Sequence, residues 1–202
     1  MKIAAIIVVL ILLGAAAVLI FSPKAPKDVQ NLQVEDTNTQ TQATSITGAK
    51  DGNIELTSFS YVGYGPGKSH TGVFEEYEVR NVKVNEAGVP VAGELVIQTA
   101  SVKTDTAMLD THLMEKAEFF DSAKYPEIIF TLSNATEIGK GTYQVSGDLK
   151  VKDITKKVGF TVNAMSAETF SAEFKLNMND FGFTAPGIVD EEVLIKFAGK
   201  VN

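Results

Sequence analysis

The sequence predicts an all-β domain, an eight-stranded antiparallel barrel with one short helix, preceded by an N-terminal transmembrane helix. Three observations support this prediction. After residue 50, apolar and polar side chains alternate with a period of two, which is typical of strands with one buried face. Gly, Pro or Asn stands near most breaks in the alternation, as expected at turns. The amino-terminal part of the chain, by contrast, holds one uninterrupted apolar run.

This apolar run covers residues 3–21, 19 positions without a charge. As a helix it would be about 28 Å long, close to the roughly 30 Å hydrocarbon core of a bilayer. A cleavable signal usually has an apolar region of about 7 to 15 residues, and here the run continues past the small residues 15–17. We therefore predict an uncleaved signal anchor over residues 1–22. A cleaved signal, giving a secreted or periplasmic protein, is the alternative.

The orientation of the anchor is predicted from chain length, because the positive charges are nearly balanced. Lys2 lies on one side of the apolar run, and Lys24 and Lys27 lie on the other. A two-residue amino end followed by a long carboxyl side favours an exported domain. We expect a single-pass cell-membrane protein with its domain on the extracytoplasmic side.

Residues 23–48 predict a flexible linker. They contain Pro23 and Pro26 and are rich in Thr, Gln, Asn and Asp, so little apolar surface is present to offset the entropy of ordering. A helix around residues 29–34 is the alternative. Residues 49–202 form the predicted domain and hold 15 Lys and Arg against 22 Asp and Glu, so they carry the whole net charge of -7. This acidic balance argues against a nucleic-acid partner.

Eight segments of the predicted domain have strand-like alternation. In residues 170–178, for example, Phe170, Phe174 and Leu176 lie on one face of a strand, opposite Glu173 and Lys175. The predicted strands are residues 54–62, 73–84, 91–102, 128–133, 143–151, 158–164, 170–178 and 193–201. Eight such strands can close into a barrel, whose interior is either filled by side chains or holds one small ligand. A sandwich is the competing arrangement.

One short helix interrupts the strands. In residues 107–117, Met108, Leu109 and His112 fall at the spacing of one side of a helix. Either Thr104 or Thr106 can cap the start of this helix. The acidic residues around this helix have no spacing that singles out an acid/base pair, and a solvated helix face explains them.

The sequence contains no recognisable catalytic or metal-binding constellation. There is no Cys, and His70 and His112 are more than forty residues apart with no HExxH or paired-His spacing. The glycine-rich residues 63–72 lack the spacing of a phosphate-binding loop, since Val62 stands five residues before Gly67. We therefore expect a protein that is not an enzyme, binds no metal and requires no cofactor.

The middle of the chain resembles the YceI-like family, also called the polyisoprenoid-binding, lipocalin-like family. The matching pieces, in order, are residues 101–105 (SVKTD), 110–113 (DTHL), 118–121 (EFFD), 125–130 (YPEIIF), 147–158 (GDLKVKDITKKV) and 180–183 (DFGF). The likeness covers about residues 52–201. Two positions depart from the family pattern: Asp153 stands where the hairpin usually turns on Gly, and Lys157 stands where Pro is frequent.

The resemblance implies a lipocalin-like barrel that holds an isoprenoid, such as a quinone tail or a polyprenyl lipid. Burial of each CH2 contributes about 0.8 kcal/mol, so a chain of several isoprene units needs no charged group to hold it. The polar head of the ligand would stay near the barrel mouth, where one or two polar groups suffice. The helix and loop at residues 108–120 would form the gate.

We select the ligand-lining candidates from the apolar strand faces and from the residues that follow the helix. Plain core packing remains an equal explanation for each of them. The candidates are Phe119, Phe120, Phe130, Val145, Leu149, Phe160, Val162, Phe174 and Leu176.

The expected function is carriage, storage or sequestration of an isoprenoid lipid at the outer face of the membrane. The alternative is a solid-core structural or adaptor domain that binds a partner protein through its acidic surface. Neither the identity of the lipid nor the oligomeric state follows from the sequence.

Overall fold

The computed structural model describes residues 23–35, 49–166, 168–184, 187 and 189–202. The predicted anchor, residues 1–22, and residues 36–48 of the predicted linker lie outside these ranges. None of the helices within the described ranges is long and apolar enough to cross a membrane.

The described residues form an antiparallel sheet with one short α-helix. The helix, α1, is Ala107–Glu115, and it ends two residues before the predicted end. Thr106 is its N-cap, and the Thr106 side chain accepts a hydrogen bond from the backbone N–H of Leu109 at 3.4 Å. The strands are β1 Gln33–Glu35, β2 Lys50–Asp51, β3 Ile54–Gly65, β4 Lys68–Phe74, β5 Tyr77–Val84, β6 Pro90–Gln98, β7 Val102–Lys103, β8 Glu127–Gly139, β9 Thr142–Val151, β10 Ile154–Ala164, β11 Thr169–Asn177 and β12 Glu192–Val201.

The predicted number of strands was wrong: the described part of the chain has twelve, not eight. The predicted strand 73–84 is divided into β4 and β5 at Glu75 and Glu76. The backbone N–H of Glu75 donates to the Ser101 carbonyl at 3.1 Å, and that of Glu76 donates to the Ser101 hydroxyl at 3.0 Å. Ser101 belongs to the 3-10 helix Thr99–Ser101, which also ends the predicted strand 91–102 early. These hydrogen bonds take the place of bonds between neighbouring strands. The predicted strands 73–84 and 91–102 are therefore both interrupted here.

The sheet curls into a half-barrel. Its strand order is β2-β5-β6-β8-β9-β10-β11-β12-β3-β4-β7, with β1 beside β10. Among the described strands, no backbone ladder joins β5 to β3, so the predicted closed ring of strands is not complete there. Side chains bridge this seam instead: the Tyr77 hydroxyl donates to the Leu56 carbonyl at 3.4 Å, and the ring centroids of Phe59 and Tyr77 are 6.4 Å apart.

A second break in the ladder lies between β10 and β11, and the chain itself fills it. Within the described residues, these strands pair at only two positions, Asn163 with Ser171 and Ala164 with Phe170. Residues 30–35, which we call the inserted segment, occupy the remaining gap. On one side β1 pairs with β10, and on the other the Leu32 N–H donates to the Lys175 carbonyl at 2.7 Å.

The Gln30 side chain completes this insertion. Its Oε1 accepts from the Thr161 N–H at 2.9 Å, and its Nε2 donates to the carbonyls of Thr161 and Glu173, each at 3.0 Å. The amide side chain thus bridges the backbones of β10 and β11. Residues 23–35, part of the predicted linker, are therefore packed against the sheet, and their chain is extended where a helix was the alternative.

The turn between β9 and β10 shows how the chain accommodates its departure from the family pattern. The left-handed backbone conformation falls on Lys152, with φ 57°, rather than on Asp153. The Lys152 ammonium donates to the Ala117 carbonyl at 2.7 Å and lies 5.1 Å from the Phe183 ring centroid. This side chain ties the turn to the segment that follows α1.

A candidate apolar ligand cavity

The curled sheet partly surrounds an open cavity of about 620 Å³. Small-molecule sites commonly have volumes of about 300–1,000 Å³, so this space is large enough for one ligand. The inward faces of the strands supply most of its wall, because every second side chain of a strand points to the same side. The interior is therefore not fully plugged by side chains.

All nine residues predicted from the sequence lie on the cavity wall. Val145, Phe160 and Phe174 are buried. The other six are half-buried although they line the interior, so part of their accessible surface faces the cavity; they are Phe119, Phe120, Phe130, Leu149, Val162 and Leu176. Their contact with a ligand stays a prediction.

Aromatic rings form one part of this wall. Phe160 stacks on Phe174 with centroids 4.7 Å apart, and Phe130 and Phe197 lie 5.7 and 5.9 Å from Phe160. Such pairs contribute about 0.5–1.5 kcal/mol each beyond the burial of their area. Core packing and cavity lining are thus combined in the same side chains.

The segment after α1 lines the part of the cavity beside the helix, which we call the helix end. Phe120 packs edge-on against Phe74 and Phe183, with centroid distances of 5.5 and 5.4 Å. The Phe120 N–H donates to the Leu113 carbonyl at 3.0 Å, which fixes the segment to the helix. Phe119 and Phe120 line the cavity at this end, and their closing it stays a prediction.

A buried carboxylate holds the start of α1 in place. Asp110 is 5% exposed, and its Oδ1 accepts from the Thr104 N–H at 2.6 Å and from the Thr104 hydroxyl at 2.7 Å. The ammonium of Lys103 lies 3.7 Å from the other carboxylate oxygen. This pairing satisfies a charge that would be costly to bury alone.

The helix end also carries the polar groups that sequence reasoning missed. Tyr61, His70 and Thr104 line the cavity there. His70 Nδ1 lies 2.6 Å from one oxygen of Asp105, and the Lys68 ammonium donates to the other at 2.7 Å. These two hydrogen bonds hold the pKa of Asp105 at about 2, below its ordinary 3.8. β3 and β4 are joined by a tight turn after Gly65, and their pairing places Tyr61 and His70 on the same face of the sheet. Counting residues from this turn in the sequence would have identified both.

Tyr61 is the most unusual of these polar residues. Its hydroxyl is buried and has no hydrogen-bond partner in the part of the chain that the structure describes. Burial, followed by the negative charge of Asp110, raises the pKa of Tyr61 far above its usual range. The ring lies across its cross-strand partner Gly72, whose missing side chain leaves the space that the ring fills.

Comparison with curated proteins identifies bacterial relatives. The chain is 35% identical over 104 residues to a UPF0312 protein of Pseudomonas putida (strain GB-1), a stretch of 47% of this chain and 54% of that protein. It is 30% identical over 146 residues to a UPF0312 protein of Pseudomonas fluorescens (strain SBW25), covering 68% and 71%. The chain thus spans about half the length of the first of these relatives.

Solved structures show the same fold. BcnA of Burkholderia cenocepacia superposes with a TM-score of 0.62 at 25% identity, covering 71% of this chain and 94% of that one. A polyisoprenoid binding domain from Saccharophagus degradans, implicated in plant cell wall breakdown, gives a TM-score of 0.55 at 14% identity, covering 75% and 99%. The model of the YceI-like domain matches residues 33–201. The resemblance noted in the sequence is thereby confirmed, and the chain belongs to the YceI-like domain family.

Proposed function

We propose that this protein binds an isoprenoid-type lipid, such as a quinone or a polyprenyl lipid, inside the curled sheet. The observation that carries the proposal is the cavity of about 620 Å³, with inward-facing Phe, Leu and Val side chains on its wall. An apolar tail gains about 0.8 kcal/mol for each CH2 that it buries, without any charged partner. The lipid is the ligand itself, and no cofactor or catalytic step is invoked.

The family supports the chemical class of the ligand. The domain from Saccharophagus degradans, which shares the fold, is described as polyisoprenoid-binding. The alternative, a solid-core adaptor, requires a filled interior, and an interior space of about 620 Å³ does not favour it.

The proposed location is the outer face of the cell membrane. The apolar residues 3–21 support an anchor there, with the domain exported, and the protein would carry, store or sequester its lipid at that surface. A cleaved signal would instead give a periplasmic or secreted carrier.

An obstructing variant tests the binding proposal. Gly63 lines the cavity, and a Cβ added there meets no atom of the described residues within 4 Å. A Cβ at this position has open space around it, so Gly63→Phe should place its ring in the cavity and reduce the bound lipid. Gly139→Phe is the matched control, since Gly139 is exposed at the end of β8.

The measurement is the lipid content of the whole chain, purified identically for wild type and both variants. Organic extraction followed by mass spectrometry should find about one isoprenoid lipid per chain in wild type and Gly139→Phe, and much less in Gly63→Phe. All three proteins share residues 1–22, so lipid that merely accompanies the apolar run appears equally in each. Equal lipid in all three, or none in wild type, contradicts the proposal.

A further inference from the structure

His70 has one ring nitrogen bonded within the protein and, among the described residues, one without a partner. Nδ1 lies 2.6 Å from an oxygen of Asp105, whereas Nε2 makes no hydrogen bond to the described part of the chain. Nε2 is not one of the buried unpaired side-chain atoms there, so it keeps accessible surface. The His70 side chain is 23% exposed and lines the cavity. A molecule in the cavity can therefore reach this ring.

The cavity has open space beside the His70 ring. His70 pairs across the hairpin with Gly63, so both residues face the same side of the sheet. A Cβ added at Gly63 would meet no atom of the described residues within 4 Å. Gly65 is on the same face of β3, and a Cβ added there would lie 4.0 Å from His70 Cδ2. These two glycines leave room for the head group of a ligand next to the imidazole.

Asp105 fixes which nitrogen of His70 carries the hydrogen. The Lys68 ammonium donates to the other Asp105 oxygen at 2.7 Å, and the pKa of Asp105, about 2, keeps this carboxylate charged at neutral pH. A charged carboxylate only accepts hydrogen bonds, so the hydrogen between the two residues belongs to Nδ1. In a neutral imidazole the other nitrogen is then an acceptor. Nε2 is therefore suited to a ligand group that donates a hydrogen bond, such as a hydroxyl.

We propose that His70 is a specificity-determining residue whose Nε2 accepts a hydrogen bond from a hydroxyl group on the head of the bound isoprenoid. Asp105 is a positioning residue that acts through His70 by keeping the hydrogen on Nδ1. This inference rests on the proposed lipid-binding function and deepens it, since it names the head group. The protein selects an isoprenoid alcohol over an ether of the same chain, because the ether has no hydrogen to donate.

Two substitutions test the inference from opposite directions. His70→Phe keeps a flat ring and removes the acceptor. Asp105→Asn reverses the ring: Lys68 can only donate, so the amide oxygen faces Lys68 and the amide N–H donates to Nδ1. Nε2 then carries the hydrogen and becomes a donor. His112→Phe is the matched control, since His112 is exposed on α1 and is not on the cavity wall.

The probes are geranylgeraniol and geranylgeranyl methyl ether, which share one isoprenoid chain. Each is titrated calorimetrically into the full chain at one fixed detergent concentration and at pH 8, where an imidazole is ordinarily neutral. Wild type and His112→Phe should bind the alcohol about 3- to 10-fold more tightly than the ether, the range expected for one hydrogen bond.

The two variants at the site should change this preference in different ways. His70→Phe should weaken alcohol binding and leave ether binding unchanged. Asp105→Asn should bind the ether about 3- to 10-fold more tightly than wild type does, because Nε2 now donates to the ether oxygen. A merely structural role of Asp105 would not produce this gain in affinity.

The possible failures are distinguishable. If wild type binds neither probe, the lipid-binding proposal fails and this inference fails with it. If wild type binds both probes without preferring the alcohol, or His70→Phe keeps the preference, the role of His70 is overturned while lipid binding stands. Ether binding by Asp105→Asn that is no tighter than that of wild type overturns the role of Asp105. This variant leaves the cavity wall intact, so it remains a test even where His70→Phe does not fold.

Discussion

Lys152 combines an unfavourable backbone conformation with favourable side-chain contacts. A left-handed φ of 57° costs a non-glycine residue about 1–2 kcal/mol. The side chain offsets this cost through its hydrogen bond to Ala117 and its position over the ring of Phe183. Burial of the ammonium lowers the pKa of Lys152. Replacing this residue with Ala and with Gly separates the backbone cost from the side-chain gain.

We expect Lys152→Ala to lower the free energy of unfolding by about 1–2 kcal/mol, because the contacts are lost and the left-handed conformation remains. Lys152→Gly should be about 1 kcal/mol more stable than Lys152→Ala, because Gly adopts positive φ without a steric penalty. Urea denaturation of the two variants measures both quantities. Equal stabilities would show that the turn is not strained at this residue.

Asp105 gives the helix end a defined response to acid. Because its folded pKa of about 2 is below the ordinary 3.8, the stability contributed by its bonds to His70 and Lys68 is present above 3.8 and is lost as pH falls toward 2. The difference in Tm between wild type and Asp105→Asn should therefore shrink on acidification from about pH 5 to 2. Comparing the two proteins removes the acid sensitivity that they share. A difference that stays constant over this range contradicts the assignment.

The inserted segment is the element that the sequence pattern identified least well. Val29, Leu32 and Val34 are the only large apolar residues in 23–35, and composition therefore indicated a linker. The segment is nevertheless part of the sheet, because the gap between β10 and β11 provides backbone partners on both sides. Long strands were recognised because alternation is a local signal, whereas β1 depends on partners more than a hundred residues away.

The insertion predicts a specific effect of Gln30→Ala. The Thr161 N–H loses its acceptor, so its hydrogen exchange should become at least several-fold faster, and the protein should lose about 1–3 kcal/mol of stability. Gln33→Ala is the control, since Gln33 is an exposed amide of the same segment. Exchange at Thr161 that is equally slow in wild type and both variants would show that the side chain does not bridge the strands.

At the scale of the whole molecule, the fold and the cavity wall were predictable to different degrees. Period-two alternation assigns a face to each strand residue, and the seven proposed residues on strands lie on the wall for that reason, whereas Phe119 and Phe120 were chosen because they follow the helix. The polar part of the site did not follow from the pattern. Tyr61 is one aromatic residue among many in the sequence, and it stands out only when its partner Gly72 and its unpaired hydroxyl are seen.

A ligand that binds the folded state and not the unfolded chain raises the stability of the whole domain. At a free concentration of 100 times Kd, the gain is about 2.7 kcal/mol. Wild type should therefore have a higher Tm with lipid than after extraction, and Gly63→Phe should have the same Tm in both conditions. Thermal unfolding followed by circular dichroism provides the measurement. A Tm of wild type that is indifferent to lipid contradicts specific binding.

If residues 1–22 form the proposed anchor, the docking of residues 23–35 would limit how far the domain could move from it. Lys24 lies 3.7 Å from Asp190, and the Ala25 N–H donates to the same carboxylate at 3.2 Å, so the chain is fastened to the domain within three residues of position 22. A helix that spans the bilayer and ends at position 22 would leave almost no slack. The domain would then lie against the headgroups of one leaflet and exchange lipid there. It would not extend away from the membrane on a long flexible linker.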